Sequence, residues 1–162
     1  MSRAPAERPL DAAEEAVLRA LQPAILELMR RWDADLVKDQ KISVTEYNVL
    51  RILSEAESGR LRMSELAAEC HQSLSAVSRT VGRLERDDLV RRERSSADAR
   101  GADAVLTRAG RRRLERAWPA HLRSVRRSLF DHLSGLDLEA LARSLRSIAD
   151  GADRSTDEPH TG

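Results

Sequence analysis

Leu-Ser-Ala-Val-Ser-Arg-Thr-Val-Gly-Arg-Leu-Glu, residues 74–85, is the stretch from which the rest of the chain can be read. Val77, Val81 and Leu84 recur at steps of four and three, the period of a helix that buries one stripe. Ser75, Ser78, Arg79 and Arg83 form its polar face, and Ser73 or Ser75 is placed to cap its first turn. Backbone N–H groups and serine hydroxyls at a helix N-terminus can receive a phosphate, and arginine is the common bidentate reader of guanine. The face is a candidate nucleic-acid reader. Its ordinary alternative is a solvated, arginine-bearing helix surface.

Upstream, Ser64 can cap a short helix over 65–70 that buries Leu66 and Ala67, with a turn at His71 and Gln72. Before it, Thr45 can cap a helix over 46–55 with Val49, Leu50 and Leu53 inward, and residues 60–63 alternate like a small strand. Downstream, residues 89–94 and 102–106 read as two strands of a hairpin whose tip, 95–101, is polar. Helix, short helix, helix and two-stranded wing is the order of a winged helix-turn-helix, which presents its second helix to the DNA major groove.

Long helices flank this unit. One, over 11–39, carries Leu18, Leu21, Ile25, Leu28, Trp32 and Leu36, with Pro23 expected to kink it or to start a new first turn. Another, capped by Thr107, carries Leu114, Trp118, Leu122, Val125, Leu129 and Leu133 up to Ser134 and Gly135, with a kink at Pro119. A last one, capped by Asp137, carries Leu138, Leu141, Leu145 and Ile148. These stripes exceed what one small core covers, so a second copy is expected to bury them across a two-fold axis. The expected class is mostly α with a small β-wing: a winged helix-turn-helix plus a helical dimerisation region. It divides into a tail at 1–10, a dimerisation region at 11–42 and 107–150, a DNA-binding domain at 43–106 and a disordered tail at 151–162.

Composition agrees. With one Phe, one Tyr and two Trp, a core must be built of Leu, Val, Ile and Ala, which favours helix packing. No apolar stretch approaches the roughly 20 residues of a membrane span, and no apolar run follows Arg3 and Arg8 as in a signal peptide. The single cysteine excludes an internal disulfide framework, so a cytoplasmic protein is expected. The net charge of +1 indicates no partner, but its distribution does: residues 107–127 hold eight Arg against one acid, and residues 71–101 hold seven Arg against five acids.

The segment 74–85, followed by Leu-Val-Arg-Arg (89–92), Asp-Ala-Arg-Gly (98–101) and Ala-Val-Leu-Thr-Arg-Ala-Gly (104–110), resembles the multiple antibiotic resistance regulator (MarR) family. Val-Thr-Glu-Tyr-Asn-Val-Leu (44–50) and Leu-Arg-Met-Ser-Glu-Leu-Ala (61–67) agree with it. The resemblance implies a homodimeric transcriptional regulator, a repressor, on double-stranded DNA with a pseudo-palindromic operator. The helix at 75–87 would enter the major groove. Arg100 of the wing would enter the minor groove, with Asp98 orienting a basic side chain; a narrow minor groove attracts arginine electrostatically. One departure is Asp88, which stands where the family commonly has a glycine in a left-handed conformation, so the helix end is expected to be strained or differently shaped.

The DNA-contact candidates are therefore Ser73, Ser75, Ser78, Arg79, Arg83, Arg92, Arg94, Asp98 and Arg100. For Arg83 the alternative is a salt bridge that holds its own helix; for Arg91, Arg92 and Arg94 it is a solvated strand. Trp32, Tyr47 and Arg51 read first as core packing; the resemblance implies instead a site for a small aromatic or anionic effector. Cys70 reads as a small buried hydrophobe. The histidines 71, 121, 132 and 160 are not ligand-spaced, so no metal or cofactor is expected. An enzyme would need a phosphate loop, a nucleophile–base pair or paired carboxylates, and no such pattern is recognisable. The remaining alternative is a helical protein–protein adaptor without DNA binding, which would not need Arg100 or the hydroxyl- and arginine-bearing face.

Overall fold

The computed structural model describes residues 8–94 and 101–154, with side chains through Ala149. Two compact units follow the chain, 1–125 and 126–162. The first opens with α1, Ala12–Gln40, which starts on a capping box: the Asp11 carboxylate accepts the N–H groups of Ala13 and Glu14, and Glu14 accepts that of Asp11. Helix α1 runs unbroken through Pro23, so no new first turn forms there. Lys41 turns left-handed (φ 57°) and ends it.

Helix α2, Val44–Glu55, is capped by Ser43 and not by Thr45. The reason is reciprocity. Glu46 lies three residues beyond Ser43, accepts its N–H at 2.8 Å and donates its own N–H to the Ser43 hydroxyl, while Asp33 of α1 accepts the Val44 N–H. After a 3-10 turn at Glu57–Gly59 comes β1, Arg60–Arg62. Helix α3, Met63–Glu69, begins before Ser64, the expected cap; the Glu65 carboxylate accepts the Arg62 N–H instead. His71 (φ 49°) makes the turn, and α4, Leu74–Arg86, follows with Ser73 as N-cap. Strands β2, Val90–Arg94, and β3, Ala102–Leu106, form the hairpin. Strand β1 pairs antiparallel with β3, giving a three-stranded sheet in the order β1-β3-β2. The core gathers Leu36, Ile42, Leu50, Leu53, Leu66, Val77, Val81, Leu84 and Val90 where α2, α3, α4 and the sheet meet.

Helix α5, Arg108–Ser128, starts at Thr107, whose hydroxyl accepts the Gly110 N–H and donates to the Asp88 carbonyl. It passes through Pro119 and buries Gly110, Ala117 and Ser124, a heptad-spaced row, while Trp118 and Leu122 of the expected stripe are exposed. It ends at Ser128, short of the expected 134. The second unit then makes a 3-10 turn at Phe130–His132 and forms α6, Leu138–Arg154, capped by Asp137 as expected. Helix α6 includes 151–154, which the sequence had placed in a tail; residues 155–162 lie outside the described residues.

The departure at Asp88 resolves simply. It adopts φ 56°, its N–H bonds the Glu85 carbonyl and the Leu89 N–H bonds that of Leu84, both bonds of a Schellman motif, with Leu84 and Leu89 buried beneath. The helix end keeps its usual shape and bears the left-handed cost on an aspartate. Asp88→Gly should therefore raise unfolding stability by roughly 1 kcal/mol. Gly110→Ala should do the reverse, by about 1–3 kcal/mol, because an added Cβ would lie 2.1 Å from the Leu89 carbonyl oxygen and 2.8 Å from Leu106 Cδ1. Urea titrations of the two variants beside the parent check both signs.

Candidate nucleic-acid interface

Helix α4 is amphipathic in the sense its sequence dictates. Val77, Thr80, Val81 and Leu84 are buried, and Ser73, Ser75, Arg79, Arg83 and Arg86 are exposed. The Ser73 hydroxyl accepts the Ala76 N–H at 3.3 Å and lies 3.1 Å from the Ser75 hydroxyl, so two hydroxyls crown the N-terminus. Leu74 beside them is 53% exposed. The sequence did not single it out; an exposed apolar group there suits a thymine methyl. Arg79, Arg86 and, at the end of β2, Arg94 are exposed and make no ion pair among the described residues.

Other candidates are engaged within the protein. Arg83 Nε lies 2.7 Å from Glu46 Oε1, and Nη2 donates to the Thr80 hydroxyl. Burial pushes the Glu46 carboxyl up, but the Ser43 N–H, Arg83 and the Ser43 hydroxyl together outweigh it and hold the group below the usual carboxylate range. Arg92 Nη2 donates to the Ser78 carbonyl (2.7 Å) and hydroxyl (3.1 Å), while its Nε pairs with Glu85 at 3.2 Å. At the base of the wing, Arg60 of β1 bridges Asp103 of β3 and Glu93 of β2, and Arg91 also bonds Glu93. Hydrogen bonding from Arg91 leads in holding Glu93 below its ordinary value. This network went unseen in the sequence because Arg60 is far from both acids along the chain. Asp98 and Arg100 lie outside the described residues.

Trp32, Tyr47 and Arg51 line one cavity of about 340 Å³, together with Cys70, Trp118 and His121. The His121 ring meets Tyr47 at 4.4 Å and Trp32, edge-on, at 6.0 Å. The Tyr47 hydroxyl and His121 Nδ1 are buried without a hydrogen-bond partner among the described residues. Burial pushes the Tyr47 phenol up to about 12, pushes the Cys70 thiol up and pushes the His121 imidazole down. Tyr47 thus stays a protonated donor and Cys70 an unreactive thiol near neutrality. Arg51 donates to Asn48 and to Glu55, so its charge is partly neutralised. The sequence missed His121, read only for metal spacing, and with it Cys70 and Trp118, read only as apolar packing.

A three-helix core, a polar recognition helix and a stranded wing define a winged-helix DNA-binding protein. The MarR family model matches residues 40–101. Sco3205, a MarR family transcriptional regulator from Streptomyces coelicolor solved in complex with DNA, is 34% identical, with 96% of this chain and 95% of that one covered at a TM-score of 0.83. AbsC, a MarR family regulator from the same organism, is 35% identical over 91% of this chain and 99% of its own, at 0.82. The fold extends to the regulator BldR of Sulfolobus solfataricus, 24% identical over 87% and 99%, at 0.75. No curated protein gives a significant match. The chain belongs to the MarR family and is a DNA-binding transcriptional regulator. No helix among the described residues is long and apolar enough to cross a membrane.

The half-buried imidazole of His121 contributes a pH dependence. His121 binds its proton less readily folded than unfolded, so the unfolded chain takes up protons first as pH falls below the ordinary value of 6.5. The stability this group contributes is full above that value and declines through the window beneath it. Thermal unfolding at pH 5.5 and 7.5 should show the parent less stable at the lower pH and His121→Gln with a smaller difference. An equal drop in the variant would place the titrating group elsewhere.

Proposed function

We propose that the chain is a homodimeric repressor that binds a pseudo-palindromic operator through α4 and the wing and is released by a small aromatic or anionic molecule in the Trp32–Tyr47–Arg51 cavity. The observation that carries the DNA reading is the exposed face of Ser73, Ser75 and Arg79 on α4 with Arg94 of the wing. The relative in complex with DNA supports it over the adaptor alternative, and membership of a family of regulators supports a protein that is not an enzyme. Major-groove reading falls to Arg79, with the serines receiving phosphate. Arg100 is assigned to the minor groove, and Asp98 to orienting a basic side chain.

Dimerisation is supported by apolar groups left uncovered in the single chain. Leu18, Leu21 and Ile25 of α1 are 44–59% exposed, and Leu145 and Ile148 of α6 are 53% and 67% exposed. Uncovered apolar helix faces of this length favour a symmetric partner. The effector reading is supported by the cavity's aromatic lining and its two unsatisfied polar atoms.

Sedimentation at micromolar concentration should give one dimeric species; a stable folded monomer would overturn the assembly. Footprinting of the DNA beside the protein's own gene should protect a short inverted repeat with half-sites about 34–36 Å apart. Arg100→Ala should weaken operator and random DNA alike and flatten the salt dependence, and Arg79→Ala should cost about 1–3 kcal/mol on the operator only. In a gel shift, a panel of small phenols and aromatic carboxylates should contain compounds that release the parent from DNA and spare Arg51→Ala.

A further inference from the structure

Four arginines of α4 and β2 stand on or beside the DNA-facing surface, yet they divide into two kinds. Arg79 and Arg94 are exposed with no ion pair among the described residues, whereas Arg83 and Arg92 are each held by a carboxylate and by α4 itself. We propose that Arg83 and Arg92 are positioning residues that clamp the recognition helix from opposite sides, and that they do not serve as its DNA contacts. The inference rests on the reading of α4 as the DNA-recognition helix.

The first clamp joins α4 to α2. Glu46 divides its oxygens, Oε2 accepting the Ser43 N–H at 2.8 Å and Oε1 holding Arg83 Nε at 2.7 Å. Its side chain is only 14% exposed, so the carboxylate is fixed by packing and Arg83 comes to it. The second clamp joins α4 to the wing. One edge of the Arg92 guanidinium grips the carbonyl and hydroxyl of Ser78, its Nε meets Glu85 Oε2, and the Arg92 N–H donates to Glu85 Oε1 at 3.0 Å. Ser78 and Glu85 are seven residues apart and so share one side of the helix. Arg83, which meets Glu46 and also donates to the Thr80 hydroxyl, lies on the other. Together they fix the rotation of α4 about its axis, which decides where Arg79 and the N-terminal serines point. A guanidinium already bonded in this way must leave its carboxylate to reach a phosphate.

The clamps are partly exposed, and exposed ion pairs add little to stability. Their loss should therefore alter DNA discrimination while leaving the chain folded. The sign of the effect separates the two roles. Removing an acid beside a DNA surface strengthens binding if its arginine partner contacts phosphate, because the negative charge goes and the arginine is freed. It weakens operator binding if the pair holds the helix. Glu46→Gln is the apt variant, since glutamine keeps the capping box of α2; Glu85→Gln tests the second clamp. Arg92→Lys retains the charge but cannot grip two acceptors and a carboxylate together.

The full-length chain is titrated with its footprinted operator and with a random duplex of equal length, across a salt series, with melting followed for each variant. Glu46→Gln, Glu85→Gln and Arg92→Lys should each lose about tenfold in operator affinity, with affinity for random DNA and the salt slope unchanged and melting near that of the parent. Operator binding at parental strength or tighter in the two Gln variants, with Arg92→Lys indistinguishable from the parent, overturns the clamps. A parent that does not prefer its operator over random DNA overturns the function proposed for α4 and the clamps with it. Arg79→Ala, run alongside, tells the two failures apart, because it loses discrimination whenever α4 reads DNA, clamped or not.

Discussion

The coverage of one narrow stripe on α4 governs the arrangement. A helix of 13 residues is marginal by itself in water, and this one has only Val77, Val81 and Leu84, with Thr80, to hold it. Each fully buried aliphatic side chain contributes about 2 kcal/mol. To gain that, α2 and α3 must pack from one side and the wing strand β2 from the other. The same coverage leaves the remaining face free of packing demands, and there the sequence can carry serines and arginines at no structural cost. Stability places the helix, and the uncovered face is what remains for recognition.

Much of this was legible before any coordinates. The alternation of periods, from 3.6 over 74–85 to 2 over the hairpin, identified the recognition helix and the wing, and the hydroxyl and carboxylate caps at Ser73, Thr107 and Asp137 fell where local chemistry put them. The misassignments have a common cause. Ser43 and Thr45 are equally able to cap, and the choice between them is made by Glu46 three residues on and by Asp33 from another helix. Helix α5 shows two rows, large apolar and small. Periodicity marks both, but only the small row of Gly110, Ala117 and Ser124 is buried within the chain. The charges of Arg83, Arg92 and Arg60 were visible in the sequence, but their partners, seven to 43 residues away, were not.

The cavity gathers polar atoms that the chain itself does not satisfy. Tyr47 and His121 each present a buried polar atom there with no hydrogen-bond partner among the described residues. Tyr47 also directly follows Glu46 in α2. The residue that faces the cavity and the residue that holds Arg83 are therefore neighbours on one rigid turn, so that a shift of that turn reaches the recognition helix without an intervening element.

Trp32 and Trp118 both line this cavity, and they are the only two tryptophans in the chain. The molecule thus has its entire indole chromophore at one address. Its emission reports on the polarity of the space where α1, α2 and α5 converge. An absorbing aromatic guest would quench that light by contact and by energy transfer. Binding in the cavity can therefore be followed on the unlabelled protein, with no engineered probe and with DNA present, since nucleic acid is transparent at the wavelengths where indole emits.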